Sequence, residues 1–138
     1  MITAVDTNVL LDLLLPNEVF MERSARWIEE ASADGSLVIC DVVYAELCGS
    51  FRSQRECDAF LNEAEVRVEA LSRTASYLAS QIWREYRSRG GKRTRILSDF
   101  LIGAHAQVQA SRLLSRDRGF YRDMFPSLVL VNPAERTV

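Results

Sequence analysis

Short apolar runs alternate with longer amphipathic segments along this chain, and that alternation limits its possible folds more than any other feature. Five such runs occur, at residues 2–5, 37–40, 66–70, 113–114 and 128–131. Their lengths and β-prone residues indicate strands, whereas the segments between them have the apolar spacing of helices. Strands that alternate with helices form a mostly parallel sheet covered on both faces. We therefore predict an α/β fold with three layers, α/β/α, and about five short strands.

The segments between the strands are assigned in the same way. Helices are predicted over 9–15, 20–31, from 41 onward, 55–64, 72–89 and 98–110, with residues 119–125 as a loop or a single turn. The run at 66–70 alternates apolar and charged residues, which favours a more exposed strand near an edge of the sheet.

The first strand runs directly into three polar residues. Ile2–Val5 is apolar, and Asp6, Thr7 and Asn8 follow it before the first helix. Open α/β sheets place their ligands at the carboxyl ends of their strands, where Asp6 lies. Because a buried, unpaired carboxylate is costly, we expect Asp6 to have a partner such as a cation. The alternative, that Asp6 merely caps the next helix, stays open from this stretch alone.

The bulk composition is that of a globular chain. Of its 138 residues 48% are hydrophobic, which is enough for one domain over residues 1–138 with a real core. No apolar stretch approaches the ~20 residues needed to span a bilayer, and the N-terminus lacks the pattern of a secretory signal. We therefore expect a cytoplasmic protein that does not enter a membrane.

Cysteine and histidine content excludes several kinds of site. Cys40, Cys48 and Cys57 are odd in number and form no CxxC pair, which favours reduced thiols over disulfides or a cysteine zinc site. His105 is the only histidine. We interpret it as a structural residue in a helix interior, so a Ser-His-Asp or Cys-His mechanism has at most one candidate base.

The formal net charge of −2 gives no overall attraction to nucleic acid, but the basic residues are clustered. One cluster spans residues 84–95 and a second spans 112–122. Lys92 is the sole lysine among 17 basic residues. Arginine suits bidentate contacts to phosphate, although solvation of the surface alone would explain many of these side chains.

Four carboxylates lie at junctions between predicted elements. They are Asp6 after the first strand, Glu46 on the helix after the second, Asp99 at a helix start and Asp117 after the fourth strand. In a parallel sheet the strand exits share one edge, so these residues can converge. Two carboxylates ~4 Å apart repel by about 4 kcal/mol at an effective dielectric near 20. If the four meet, a hard cation is required, and oxygen ligands favour Mg²⁺ or Mn²⁺. Asp12, Asp41 and Asp123 are interpreted as exposed or capping.

The chain resembles the PIN-domain family, in particular the VapC-type toxins of toxin–antitoxin pairs. The matching pieces are Val5-Asp6-Thr7-Asn8-Val9-Leu10, Val43-Tyr44-Ala45-Glu46-Leu47, residues 98–106, residues 114–121 and the closing Leu130-Val131-Asn132-Pro133. Each piece alone is weakly specific, whereas their order and spacing in one short chain are specific. Asp6, Glu46, Asp99 and Asp117 fall on the family's acidic quartet, which implies catalytic and metal-binding roles for them.

The resemblance also implies accessory roles and partners. Asn8 and Ser115 fall on polar accessory positions, where Ser115 replaces a threonine common in the family, and Asp41 stands where relatives often have a Ser/Thr-Pro helix start. The implied activity is that of an Mg²⁺- or Mn²⁺-dependent endoribonuclease, with products carrying 5′-phosphate and 3′-hydroxyl ends. The implied partners are RNA, a cognate antitoxin and a second copy of the chain. For the RNA backbone the candidate residues are Arg116, Arg118, Lys92 and Arg93.

Two other functions remain as alternatives. An aspartyl-phosphate phosphotransfer domain also places an Asp after its first strand. One class of these domains needs a second Asp two residues later, where this chain has Asn8. Another class needs a lysine after a late strand, whereas Lys92 lies in a Gly-rich loop. A PIN-like module that binds RNA or a partner without cutting is the other alternative. Nucleotide-driven motors are excluded because no GxxxxGK[ST] loop is present.

Overall fold

The computed structural model describes residues 1–15, 18–92 and 95–131. The elements in chain order are β1 (Ile2–Val5), α1 (Thr7–Leu14), α2 (Glu18–Asp34), β2 (Ser36–Cys40), α3 (Asp41–Cys48), α4 (Gln54–Glu63), β3 (Val66–Glu69), α5 (Arg73–Ser88), α6 (Leu97–Gln109), β4 (Arg112–Leu114) and α7 (Arg118–Met124). Across these ranges no helix combines the length and the apolar character that crossing a bilayer requires.

The four strands form one parallel sheet in the order β3-β2-β1-β4. The two central strands are buried along almost their whole length: Leu37 to Cys40 are each at most 1% exposed. Because alternate residues of a strand point to opposite faces, this burial means that both faces of the sheet are covered. The predicted three-layer α/β/α fold is confirmed. The prediction that β3 is an edge strand is also correct.

The predicted fifth strand is reduced to a single bridge. Leu130 pairs with Leu113 in parallel, through hydrogen bonds of 2.9 Å from Leu113 N–H to Val129 O and from Val131 N–H to Leu113 O. The pairing stops there among the described residues, and the closing Asn132-Pro133 lies outside them. The apolar segment 128–131 thus lies beside β4, but it forms one bridge instead of a full strand.

Residues 118–124 form a helix rather than the predicted loop or single turn. Aromatic packing holds it: the Phe120 ring lies 5.3 Å from that of Phe100 on α6, and Tyr121 lies 6.2 Å from Phe125. Gly103 permits this approach, since a Cβ there would come within 2.5 Å of the Phe125 ring. A seven-residue segment is too short to form a stable helix alone, so its helicity depends on contacts that are distant in sequence.

His105 has the structural position expected of it. It is 1% exposed on α6, and its Nε2 lies 2.7 Å from Oε1 of Glu69 at the end of β3. The ring therefore ties a helix to the edge strand.

Candidate active site

Asp6 is the central residue of the candidate site. It follows β1 and caps α1, and its N–H bonds to Leu114 O of the adjacent β4 at 2.9 Å. Asp6 Oδ1 accepts a hydrogen bond from the Thr7 backbone N–H at 2.8 Å, while Oδ2 accepts from Ser115 Oγ at 2.7 Å and from Tyr121 OH at 3.1 Å. Asp6 therefore caps the helix, and it also accepts hydrogen bonds from side chains that no helix cap requires.

The charge on Asp6 is held in an unfavourable environment. The residue is 6% exposed, and burial raises the pKa of its carboxyl above the ordinary value. The hydrogen bonds from Ser115, Tyr121 and Thr7 lower that pKa, and the nearby charge of Glu46 raises it. Since the raising effects dominate, an added positive charge at this point would be strongly favoured.

Asn8 and Ser115, the two predicted accessory residues, both contact Asp6. Asn8 Nδ2 lies 3.4 Å from Asp6 Oδ2 and 3.5 Å from Ser115 Oγ. Its amide oxygen accepts a hydrogen bond from the backbone N–H of Arg116 at 3.2 Å. Ser115 Oγ in turn accepts from the backbone N–H of Asp117 at 2.9 Å. These contacts connect the exits of β1 and β4 in one polar network, while the catalytic contribution of the two residues stays a prediction.

Glu46 reaches the same network through Thr7, a residue to which the sequence assigned no role. Thr7 Oγ1 donates to Glu46 Oε1 at 2.6 Å, while the Thr7 backbone N–H bonds to Asp6. One threonine thus holds two of the four predicted carboxylates. Its position between Asp6 and Asn8 was the only available signal, because the contact to α3 spans 39 residues.

The four predicted carboxylates, which we call the acidic cluster, fall into two pairs. Asp99 and Asp117 form the second pair, and the charge of Arg95 acts on both. Arg95 NH1 donates to Asp117 Oδ2 at 2.6 Å, and the guanidinium lies 4.2 Å from the centre of the Phe120 ring. Burial raises the pKa of Asp99, the charge of Asp117 raises it further, and the charge of Arg95 opposes the rise. Arg95 is thus an internal counter-ion for two of the predicted site carboxylates.

Tyr121 connects the two parts of the cluster and is a second residue whose role the sequence did not reveal. It is 2% exposed, and burial together with the nearby Asp6, Asp99 and Asp117 raises the pKa of its hydroxyl. The phenol therefore stays protonated and acts as a donor to Asp6. Its location in the matched segment 114–121 was the only sequence signal.

The four basic candidates lie in different environments. Arg116 donates from Nε to Asp12 Oδ2 at 2.7 Å and from NH2 to Asp12 Oδ1 at 3.1 Å, with the guanidinium 4.3 Å from the centre of the Phe20 ring. Arg118 is half-buried at the start of α7, Lys92 is exposed, and Arg93 lies outside the described residues. Contact with RNA therefore stays a prediction for all four, and the guanidinium of Arg116 already has an anionic partner.

Asp12 differs from its interpretation as an exposed or capping residue. It is 5% exposed, and besides Arg116 it accepts a hydrogen bond from Ser24 Oγ at 2.7 Å. The interpretation was wrong because both partners are distant in sequence from α1: Ser24 lies on α2, and Arg116 follows β4.

The donor chemistry suits a hard divalent ion, although the carboxylates do not close around one. Over residues 1–15, 18–92 and 95–131, no group of three or more His, Cys, Asp or Glu side chains is arranged to hold a metal. The four acids nevertheless offer only oxygen atoms, as Mg²⁺ and Mn²⁺ prefer. Burial raises the pKa of both Asp6 and Asp99, and a cation beside them would stabilise their charged forms.

Comparison with known proteins agrees with this architecture. The sequence has no significant match among curated proteins, but the model of the PIN domain family matches residues 3–123. The matched region contains every residue of the polar network described above.

Several solved structures have the same fold. The chain is similar to VapBC2 from Rickettsia felis bound to a promoter DNA fragment (20% identity, TM-score 0.73, covering 96% of this chain and 98% of that one). It is also similar to VapBC-1 from nontypeable Haemophilus influenzae (21%, 0.71, 96% and 98%) and to a toxin–antitoxin complex from Klebsiella pneumoniae (19%, 0.63, 95% and 97%). Sheet order, polar network and family match lead to one assignment: this chain belongs to the PIN domain family.

Proposed function

We propose that this protein is a divalent-metal-dependent endoribonuclease, and that it is the toxin of a type II toxin–antitoxin system. The observation that carries the proposal is the buried Asp6 at the end of β1, which accepts hydrogen bonds from Thr7, Ser115 and Tyr121 and still has a raised pKa. A carboxylate kept in this state favours a cation beside it. In a member of the PIN family, such a cation would support the hydrolysis of a phosphodiester bond.

Mg²⁺ or Mn²⁺ would be held by the four acidic residues, which are Asp6, Glu46, Asp99 and Asp117. When bound, such an ion activates water and offsets the charge that develops on the phosphate during in-line attack. The chain's own residues orient the ligands: Ser115 and Tyr121 fix Asp6 Oδ2, and Thr7 fixes Glu46. This route leaves the RNA 2′-hydroxyl unused and needs no histidine base, in keeping with a His105 that is buried against Glu69.

A protein antitoxin fits the same site physically. Three similar structures come from toxin–antitoxin complexes or VapBC pairs, which supports a cognate antitoxin for this chain. An antitoxin that supplied a positive side chain to Asp6 and Glu46 would satisfy the charge that a metal otherwise satisfies. We also propose a homodimer and a cytoplasmic location, the latter because Cys40, Cys48 and Cys57 are free thiols.

Cleavage of RNA by the purified protein tests the proposal. Structured RNAs are incubated with Mg²⁺ or Mn²⁺, then with excess EDTA, and the product ends are analysed. We expect cleavage at discrete sites, 5′-phosphate and 3′-hydroxyl ends, loss of cleavage in EDTA and loss in Asp6→Asn. RNA that is bound but never cut would instead support the non-cleaving PIN-like module. Cleavage that continues at the same rate in EDTA would contradict the metal-dependent mechanism.

A further inference from the structure

A cavity of about 510 Å³ lies between the C-terminal half of α5 and the start of α6. Its walls include two aromatic side chains, Trp83 and Tyr86, and three cations, Arg87, Lys92 and Arg95. None of the described residues that line it is acidic. Positive side chains thus line this cavity in a chain whose net charge is −2, and one of them, Arg95, is already paired with Asp117. The volume falls within the ~300–1,000 Å³ of small-molecule sites.

The two aromatic side chains of the cavity wall are held by contacts with neighbouring residues. The Tyr86 hydroxyl donates to the carbonyl of Lys92 at 2.7 Å, and the Tyr86 ring packs 5.3 Å from Phe100. Trp83 is half-buried, and the exposed guanidinium of Arg87 lies 4.9 Å from the centre of its ring. Proteins that bind single-stranded nucleic acid combine aromatic side chains, on which bases stack, with nearby cations that contact the phosphates.

Arg95 joins this cavity to the acidic cluster. Its side chain lines the cavity, and the same guanidinium donates to Asp117 Oδ2 at 2.6 Å. A polyanion that follows the cations of the cavity would therefore arrive at Asp117 and Asp99. This continuity favours an extended chain of phosphates as the occupant.

We propose that this cavity is a nucleotide subsite for the RNA substrate, in which one base stacks on Trp83 and the flanking phosphates contact Arg87, Lys92 and Arg95. The inference rests on the proposed ribonuclease function and narrows its substrate. A base can reach Trp83 only when it is unstacked from its neighbours, so the RNA is single-stranded at this point, as in a loop or a bulge. The cavity contributes to binding and positioning, and the chemistry belongs to the acidic cluster.

Binding of a fluorescein-labelled oligoadenylate in EDTA tests the proposal without cleavage. Trp83→Leu removes the aromatic face but keeps an apolar side chain, and we expect it to weaken binding about tenfold. The matched control is Trp27→Leu, which changes the half-buried tryptophan of α2 that also has an arginine, Arg23, over its ring. We expect this control to keep the affinity of the unchanged protein.

The salt dependence of binding tests the phosphate contacts, and the fluorescence of Trp83 tests base stacking. Arg87→Gln should reduce the slope of log affinity against log salt by about 0.7, whereas Arg73→Gln at the far end of α5 should leave the slope unchanged. In Trp27→Leu, whose cavity is intact, the fluorescence of the remaining Trp83 should be quenched as RNA is added. Folding of each variant is checked by its thermal unfolding transition.

Unchanged affinity in Trp83→Leu, or unquenched Trp83 fluorescence in Trp27→Leu, would overturn the subsite. If Trp83→Leu lost binding to an antitoxin while its RNA affinity stayed unchanged, the cavity would belong to a protein partner, and the nucleotide subsite would again be overturned. Because the assay contains no metal, its result is independent of the cleavage test. A protein that binds RNA through Trp83 but never cuts it would contradict the ribonuclease assignment and keep the subsite.

Discussion

Ser115 Oγ donates a hydrogen bond of 2.7 Å to Asp6 Oδ2, joining two residues 109 positions apart in the sequence. The same oxygen accepts from the backbone N–H of Asp117 at 2.9 Å. Ser115 therefore fixes the orientation of the Asp6 carboxylate relative to the chain segment that carries Asp117.

This arrangement predicts the behaviour of two substitutions at Ser115. Ser115→Ala removes the donor, and we expect the Mg²⁺ concentration for half-maximal cleavage to rise about tenfold, as for other residues that orient ligands. Ser115→Thr keeps the hydroxyl and should stay close to the unchanged protein. Cleavage rates measured over a series of Mg²⁺ concentrations give the comparison. An alanine variant with an unaltered Mg²⁺ requirement would show that the hydrogen bond does not position Asp6.

Thr7 allows a similar test for Glu46. Thr7→Val is nearly isosteric and keeps the backbone hydrogen bond to Asp6, but it loses the 2.6 Å contact to Glu46 Oε1. We expect cleavage at fixed Mg²⁺ to fall about tenfold, and Thr7→Ser to retain most of it. If valine and serine behave alike, then Glu46 is not held through this hydroxyl.

Arg116 distinguishes a structural role from contact with RNA. Because its guanidinium neutralises the buried Asp12, Arg116→Gln should lower the free energy of unfolding by about 2 kcal/mol. Adding Asp12→Asn should restore part of that loss, since the unpaired charge is then gone. Urea unfolding of the two single variants and the double variant measures the coupling. Unaltered stability combined with weaker RNA binding would instead support the predicted phosphate contact.

The pH dependence of stability follows from the raised pKa values of Asp6 and Asp99. Each carboxyl binds its proton more tightly in the folded state than in the unfolded state, where the ordinary value is 3.8. In EDTA these two groups therefore stabilise the fold at low pH and lose that contribution as pH rises through their folded pKa values. Urea unfolding at a series of pH values measures the trend.

Asp6→Asn isolates one group from that trend. The variant lacks the ionised carboxylate, so in EDTA at neutral pH it should unfold at a higher temperature and lose less stability between acidic and neutral pH. RNA cleavage should be abolished at the same time. A variant that is less stable than the unchanged protein at neutral pH would mean that the hydrogen bonds to Asp6 outweigh its burial.

The sequence was sufficient for features that depend on local pattern. The apolar runs at 2–5 and 37–40 identified the central strands, since strands covered on both faces lack alternation. Asp6 was recognisable because it follows the first apolar run, at the carboxyl end of a strand where open α/β sheets place their ligands. The match of residues 3–123 to the PIN family confirms the resemblance that these pieces carried.

Features that depend on tertiary contacts were not predictable in the same way. The helix at 118–124 forms because Phe120 and Tyr121 pack against α6 and Phe125, and its local sequence looks like a turn. Asp12 is buried because Ser24 and Arg116 come to it from elsewhere in the chain. Neither effect leaves a periodic signal in the sequence.

Direct binding of Mn²⁺, followed by the electron paramagnetic resonance signal of the free ion, is the most direct test of the central claim that these carboxylates hold a divalent cation. The unchanged protein should bind Mn²⁺, and so should a control carrying Glu29→Gln on the exposed side of α2. Asp6→Asn and Asp117→Asn should each bind it at least about tenfold more weakly. Equal Mn²⁺ affinity in all four proteins would contradict the account, because the ion would then be held elsewhere.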